Sequence, residues 1–98
     1  EKHLGHYYVD KCIISVSGAD PQYGCYSAIP TEASIKRMMI EHSRESILLI
    51  DSSKFERKAL CFTFPFSELD IVVTDSGISK HDAELIIQQG ATLHIVDV

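Results

Sequence analysis

Two unbroken apolar runs, Ile47-Leu48-Leu49-Ile50 and Ile71-Val72-Val73, sit between polar residues without alternation. Runs of this length that do not alternate are expected of strands covered on both faces in a parallel sheet. Cys12-Ile-Ile-Ser-Val-Ser17 is also β-rich and stops at Gly18-Ala-Asp-Pro21, so a strand followed by a loop is predicted. From Asp20 to Pro30 no period is sustained, and Pro21, Gly24 and Pro30 punctuate the segment as a loop. Thr31 then stands at an N-cap position with Glu32 in the first turn. Ile35, Met38, Met39 and His42 recur at the helical interval, predicting a helix through about Arg44 with the methionines as core filler.

Leu60–Phe64 reads as a further short strand and Pro65–Leu69 as a single helical turn capped near Ser67. Asp70–Asp75 is a second buried strand. Ser79 caps a helix with the face Ala83, Ile86 and Ile87, Gly90 closes it, and Thr92–Val96 is the last strand. The order strand, helix, strand, strand, helix, strand predicts an α/β fold, a mostly parallel sheet with flanking helices joined by right-handed crossovers. Ligands of such sheets bind beyond the C-terminal strand ends. Three polar segments fall there: Ser17-Gly-Ala-Asp20, Asp51-Ser-Ser-Lys54 and Thr74-Asp-Ser-Gly77. No phosphate loop of the Walker or G-x-G-x-x-G type occurs.

Composition narrows the partners. Ninety-eight residues allow one core, and a net charge of −5 with scattered Lys and Arg gives no basic stripe for a nucleic-acid backbone. The apolar runs fall far short of a membrane span, and no secretory signal is visible. Cys12, Cys25 and Cys61 form no C-x-x-C pair and read as reduced thiols of a cytosolic chain, with Cys12 and Cys61 in the core. A zinc site from His3, His6 and a cysteine is weighed against solvated histidines on a leading segment. The second reading is preferred, and neither metal nor cofactor is expected.

The run from Lys36 to Phe55, KRMMIEHSRESILLIDSSKF, followed by Phe66-Ser-Glu-Leu-Asp-Ile-Val-Val-Thr-Asp75, closely resembles the effector domain of the DeoR family of bacterial transcriptional regulators. Asp10–Gly18 fits the same domain, and the resemblance spans about Tyr8 to Val98. Its specific part is Asp51-Ser-Ser-Lys-Phe55 with the downstream Thr74-Asp75. The resemblance implies part of a fold similar to ribose-5-phosphate isomerase, glucosamine-6-phosphate deaminase and the CoA transferases. It also implies a phosphorylated sugar or related metabolite as effector. In the family a winged helix-turn-helix binds operator DNA and the first half of the sensor domain supplies a phosphate loop. Neither is found in these residues, so operator DNA is expected to be reached only through another domain.

Laid against ribose-5-phosphate isomerase, Asp51-Ser-Ser-Lys54 resembles the loop whose lysine holds the substrate phosphate. Ser17-Gly-Ala-Asp20 resembles an Asp-Gly-Ala-Asp segment with its first aspartate replaced. The catalytic glutamate falls on Lys36, whose ammonium cannot take over a carboxylate base. A sensor without catalytic residues is the expectation; an isomerase or deaminase using Glu32 or Asp20 as base is the alternative.

Lys54, Ser53, Ser52, Asp20, Gly18 and Lys36 are the candidate effector contacts. Each has a competing reading. Lys54 meets a phosphate or pairs on the surface with Asp51 or Glu56. Ser52 and Ser53 donate to that phosphate or simply form a turn. Asp20 accepts sugar hydroxyls or makes an Asx-turn before Pro21, and Lys36 is a second cation or part of a solvated helix face. Asp51 is expected to bond loop amides, and Asp75 either orients the loop at Gly77 or ends its strand. The tyrosines are expected to be partly buried packing residues. Because the strands read as apolar on both faces, some apolar surface should stay uncovered and drive self-association.

Overall fold

The computed structural model describes residues 8–97. Its strands are β1 (Val9–Ile14), β2 (Gly18–Asp20), β3 (Gly24–Ser27), β4 (Ser43–Leu49), β5 (Cys61–Phe64), β6 (Ile71–Asp75) and β7 (Thr92–Val96); its helices are α1 (Pro30–Glu41) and α2 (Lys80–Gln88). Short 3-10 turns lie at Ser52–Lys54 and Phe66–Glu68. The histidine pair His3 and His6, considered above for zinc, lies outside the described residues.

β1, β4, β6 and β7 form a parallel sheet in that spatial order. The order never reverses. Right-handed crossovers that always step the same way place every connection on one face of the sheet. The side chains report this: Cys12, Ile14, Leu48, Ile50 and Val72 are buried together with Phe64, Phe66, Leu69 and Ile86. The intervening residues face the other way, with Ile13 61% and Leu49 46% exposed. Strands covered on both faces were expected. Among the described residues only one face is covered, because an unbroken apolar run supplies side chains to both faces whether or not a second layer exists.

The segment expected to be a loop holds the second difference. β2 and β3 form an antiparallel hairpin, and β3 pairs with β5 to make a three-stranded sheet separate from the parallel one. Strands of three and four residues are too short to show a period. Their pairing depends instead on Gly24, at φ +142, where a Cβ would run into the Phe64 carbonyl and the Phe62 ring. Cys25 and Phe64, paired across β3 and β5, are fully buried against the covered face.

The helices follow their local signals unequally. α2 is as read: the Ser79 hydroxyl accepts the Asp82 N–H at 3.1 Å, Ile86 is fully buried, and Gly90 ends the helix at φ +102. α1 begins two residues earlier than expected, with Pro30 in the first turn and Ile29 at the cap position without a side-chain cap. Proline's fixed φ suits that first turn and takes the start from Thr31. The helix stops at Glu41 and β4 already runs from Ser43, so Arg44 is strand. Ala33 is its buried residue, Met39 and Ile40 pack on the core, and Ile35 is exposed. The turn at Phe66–Glu68 follows Pro65 rather than a cap at Ser67. None of the cysteines is disulfide-bonded; Cys12 and Cys25 are buried and Cys61 is half-buried.

Candidate functional site

β4 ends beside β6, where the Ile50 N–H still reaches the Val73 carbonyl at 3.0 Å, and the chain then turns through Asp51–Lys54. Asp51 holds the start of this turn. Its carboxylate accepts the Ser53 N–H at 3.3 Å and the Ser53 hydroxyl at 3.0 Å. From the next strand, Asp75 accepts the Ser52 hydroxyl at 2.5 Å, the Ser52 N–H at 2.9 Å and the Gly77 N–H at 2.8 Å. The Ser52 hydroxyl first, then the Ser52 and Gly77 amides, hold the Asp75 carboxyl well below the usual carboxylate range. Asp75 therefore ties two loops together. Of the two readings weighed for Asp75, the bond to the loop at Gly77 is the one observed, while the bond to Ser52 was not foreseen; the signal available was the pairing of Asp51-Ser-Ser with Thr74-Asp75 at the ends of two strands.

Lys54 lies at the end of the turn, half-buried. Its ammonium donates to the Val16 carbonyl at 3.3 Å, just beyond β1. Among the described residues the ion pairs are Lys11–Glu45 and Arg44–Asp10, so Lys54 pairs with neither Asp51 nor Glu56. An ammonium has three donors, and among the described residues this one spends a single N–H on protein.

The chain beyond Lys54 is pinned. Phe55 is buried and bridges to Ala19, the Glu56 N–H donates to the Ala19 carbonyl at 2.6 Å, and Glu56 takes φ +67. A left-handed backbone at a residue other than Gly, Asn or Asp is uncommon and carries strain. Gly18 explains itself here: a Cβ at that position would collide with the Arg57 carbonyl, so the glycine lets the Lys54 segment cross β2. The structure thus brings the Lys54 turn against the first polar segment at Val16–Gly18.

The other candidates stand elsewhere. Asp20, at the far end of β2, accepts the Gln22 N–H at 2.9 Å, and the Tyr23 N–H reaches the Asp20 carbonyl at 3.0 Å, which is the Asx-turn arrangement. Lys36 is half-buried on α1, and its charge is felt by the Cys25 thiol on β3. Burial pushes that thiol up, and Lys36 offsets only part of the rise. No hydrogen bond or ion pair among the described residues joins Lys36 or Glu32 to the Lys54 turn. Likewise no group of three or more His, Cys, Asp or Glu side chains is arranged for a metal ion among them, and no helix there is long and apolar enough to cross a membrane.

Beyond the ends of β4, β6 and β7 opens a cleft of about 430 Å³ lined by Leu49, Ile50, Asp51, Val73, Thr74, Asp75 and Val96. That volume lies in the range of small-molecule sites. Thr74 is buried, and its hydroxyl finds no hydrogen-bond partner among the described residues. The two carboxylates make this side of the turn unfavourable for an anion, whereas Lys54 on the other side favours one.

A parallel sheet with helices and a small antiparallel sheet on one face, and a cation-bearing turn at its C-terminal rim, defines an α/β domain of the architecture in which ligand sites lie beyond the strand ends. The match to known proteins is more specific. Residues 1–76 match the DeoR C terminal sensor domain, and the chain belongs to the DeoR family of transcriptional regulators. It is 37% identical over 79 residues to the transcriptional repressor AccR of Agrobacterium fabrum, covering 79% of the chain and 30% of the repressor. It is 28% identical over 96 residues to a putative aga operon transcriptional repressor of Escherichia coli O157:H7, covering 98% of the chain and 36% of that protein. With an L-fucose operon activator of Haemophilus influenzae it shares 32% over 75 residues, 76% of the chain and 30% of the activator. The chain spans about a third of the length of these relatives.

Proposed function

We propose that this domain is the effector sensor of a cytoplasmic DNA-binding regulator of sugar-metabolism genes, and that its effector is a phosphorylated sugar or related metabolite whose phosphate is held by Lys54. The observation that carries this reading is the Lys54 ammonium itself: half-buried, bonded to Val16, and without an acidic partner among the described residues. A phosphate oxygen meeting it forms a charge-assisted hydrogen bond, with the Ser53 and Lys54 end of the turn close by. The sugar then extends toward the cleft, where the Thr74 hydroxyl lacks a partner and the carboxylate rim can accept hydroxyl donors. Two relatives are named for operons, one of them an L-fucose operon, which is in keeping with a sugar-derived effector. Regulation requires that the effector bind the operator-binding and non-binding states with different affinity.

The domain works in this reading as a binding module, not an enzyme. Asp20 accepts the Gln22 N–H within a turn, and no hydrogen bond among the described residues joins Glu32 to the Lys54 turn, which supports a binding role over an isomerase's. Calorimetry on the intact regulator tests the proposal: phosphorylated pentoses or hexoses should give heat of binding where the unphosphorylated sugars do not. Robust isomerase turnover abolished by Glu32→Gln, or equal binding of sugars with and without phosphate, overturns it.

A further inference from the structure

Three neighbouring strands each deliver an aspartate at the C-terminal end of the sheet: Asp51 just past β4, Asp75 closing β6 and Asp97 directly after β7. Register pairs Asp75 with Val96, which sets Asp97 one residue further along the adjoining strand end. Asp51 and Asp75 line the cleft of about 430 Å³ beyond these strands, and no Lys, Arg or His among the described residues belongs to its wall. His94, the register partner of Val73, stands outside that wall. Thr74 belongs to it, and its buried hydroxyl has no partner among the described residues, a position suited to an uncharged polar ligand atom.

The donors around the cleft are already taken by its own carboxylates. The Ser52 hydroxyl and amide and the Gly77 amide go to Asp75, while the Ser53 hydroxyl and amide go to Asp51. The N-terminus of α2 opens at the same end of the sheet, but the Ser79 hydroxyl accepts the Asp82 amide there and the Asp82 carboxylate stands in the first turn. The loops Asp51–Lys54 and Asp75–Ser79 together contain a single cation, Lys54.

We propose that the site selects an effector with one anionic group: a phosphate at Lys54, and no second phosphate at the end that reaches the cleft. This rests on the effector reading above and adds to it the charge of the far end. A second phosphate there would face Asp51 and Asp75 with no cation and no unspent amide to receive it. The apolar wall of Leu49, Ile50, Val73 and Val96 excludes water and sharpens the repulsion. Sugar hydroxyls meet no such penalty, because each carboxylate keeps lone pairs for further donors.

Calorimetry on the intact regulator with matched compounds tests the selection. The pairs are glucose 6-phosphate with glucose 1,6-bisphosphate, fructose 6-phosphate with fructose 1,6-bisphosphate, and ribose 5-phosphate with ribose 1,5-bisphosphate. For the monophosphate that binds tightest, its bisphosphate should bind at least about tenfold more weakly at low salt, and the gap should narrow at high salt. The double variant Asp51→Asn, Asp97→Asn removes two charges while an amide oxygen remains to accept the Ser53 amide, and should narrow the gap at least about threefold. A bisphosphate that binds as tightly as its monophosphate, with Lys54→Ala weakening both, overturns the selection and leaves the effector reading standing. Binding indifferent to Lys54→Ala, or no heat from any of these compounds, overturns both.

Discussion

Asp51–Ser53 and Lys54–Arg57 are consecutive, yet they use their polar groups in opposite ways. In the first half the Ser52 and Ser53 hydroxyls and amides close on Asp51 or Asp75, so the turn satisfies itself without a ligand. In the second half the backbone is held by β2, under strain at Glu56, while the Lys54 ammonium keeps only the Val16 carbonyl. The contrast separates shape from binding. Asp51, Ser52 and Asp75 bond to one another's loops, and in the proposed function Lys54 is the group that meets the anion.

Changing the backbone crossing breaks the second half most severely. Gly18→Ala puts a methyl group into the Arg57 carbonyl, which is main chain and cannot rotate away. Denaturant unfolding should show a loss of about 2–3 kcal/mol, toward the upper end of overpacking costs. Glu56→Gly acts in the opposite direction. Removing the Cβ from a residue at φ +67 relieves the left-handed strain, and the same unfolding measurement should show a gain of about 1 kcal/mol, part of it offset by glycine's greater freedom in the unfolded chain. A variant no more stable than the parent would mean that the crossing at Glu56 stores no strain.

The smallest effect concerns the first half and depends on pH. Asp75 titrates lower in the folded chain than in the unfolded one, so its contribution is complete above the unfolded carboxylate value near about 4 and is lost as pH falls toward the folded value. Stability attributable to this pair should therefore be flat from pH 7 to 5 and decline only below about 4. Asp75→Asn should remove that decline, together with the hydrogen-exchange protection of the Ser52 and Gly77 amides. Unchanged protection in the variant would show that the loops hold each other by other means.

How much of this was legible depended on the range of the interactions. α2 was readable to its ends because a Ser79 cap, a helical period and Gly90 are all local signals. β4 and β6 were readable as strands, and the family's Asp51–Lys54 segment pointed to the rim. The hairpin β2–β3 was not, since its pairing relies on β5, some way further along the chain, and on the crossing at Arg57. Nor was the bare sheet face, because Ile47–Ile50 reads the same whether one layer or two will cover it. In the site, the Asx geometry at Asp51 follows from neighbouring residues, but Lys54 meets Val16 across 38 positions of sequence, and nothing local announces that contact.

That contact leads to the most direct test. In the intact regulator, Lys54→Ala should weaken calorimetric binding of the phosphorylated effector by about 1.5–3 kcal/mol, the usual worth of a hydrogen bond to a charged group. Thermal stability and operator affinity without effector should stay nearly unchanged, because the single bond to Val16 is the ammonium's share in the fold. Unaltered effector affinity, or an equal loss of effector and operator binding, would contradict the account and make Lys54 a structural residue.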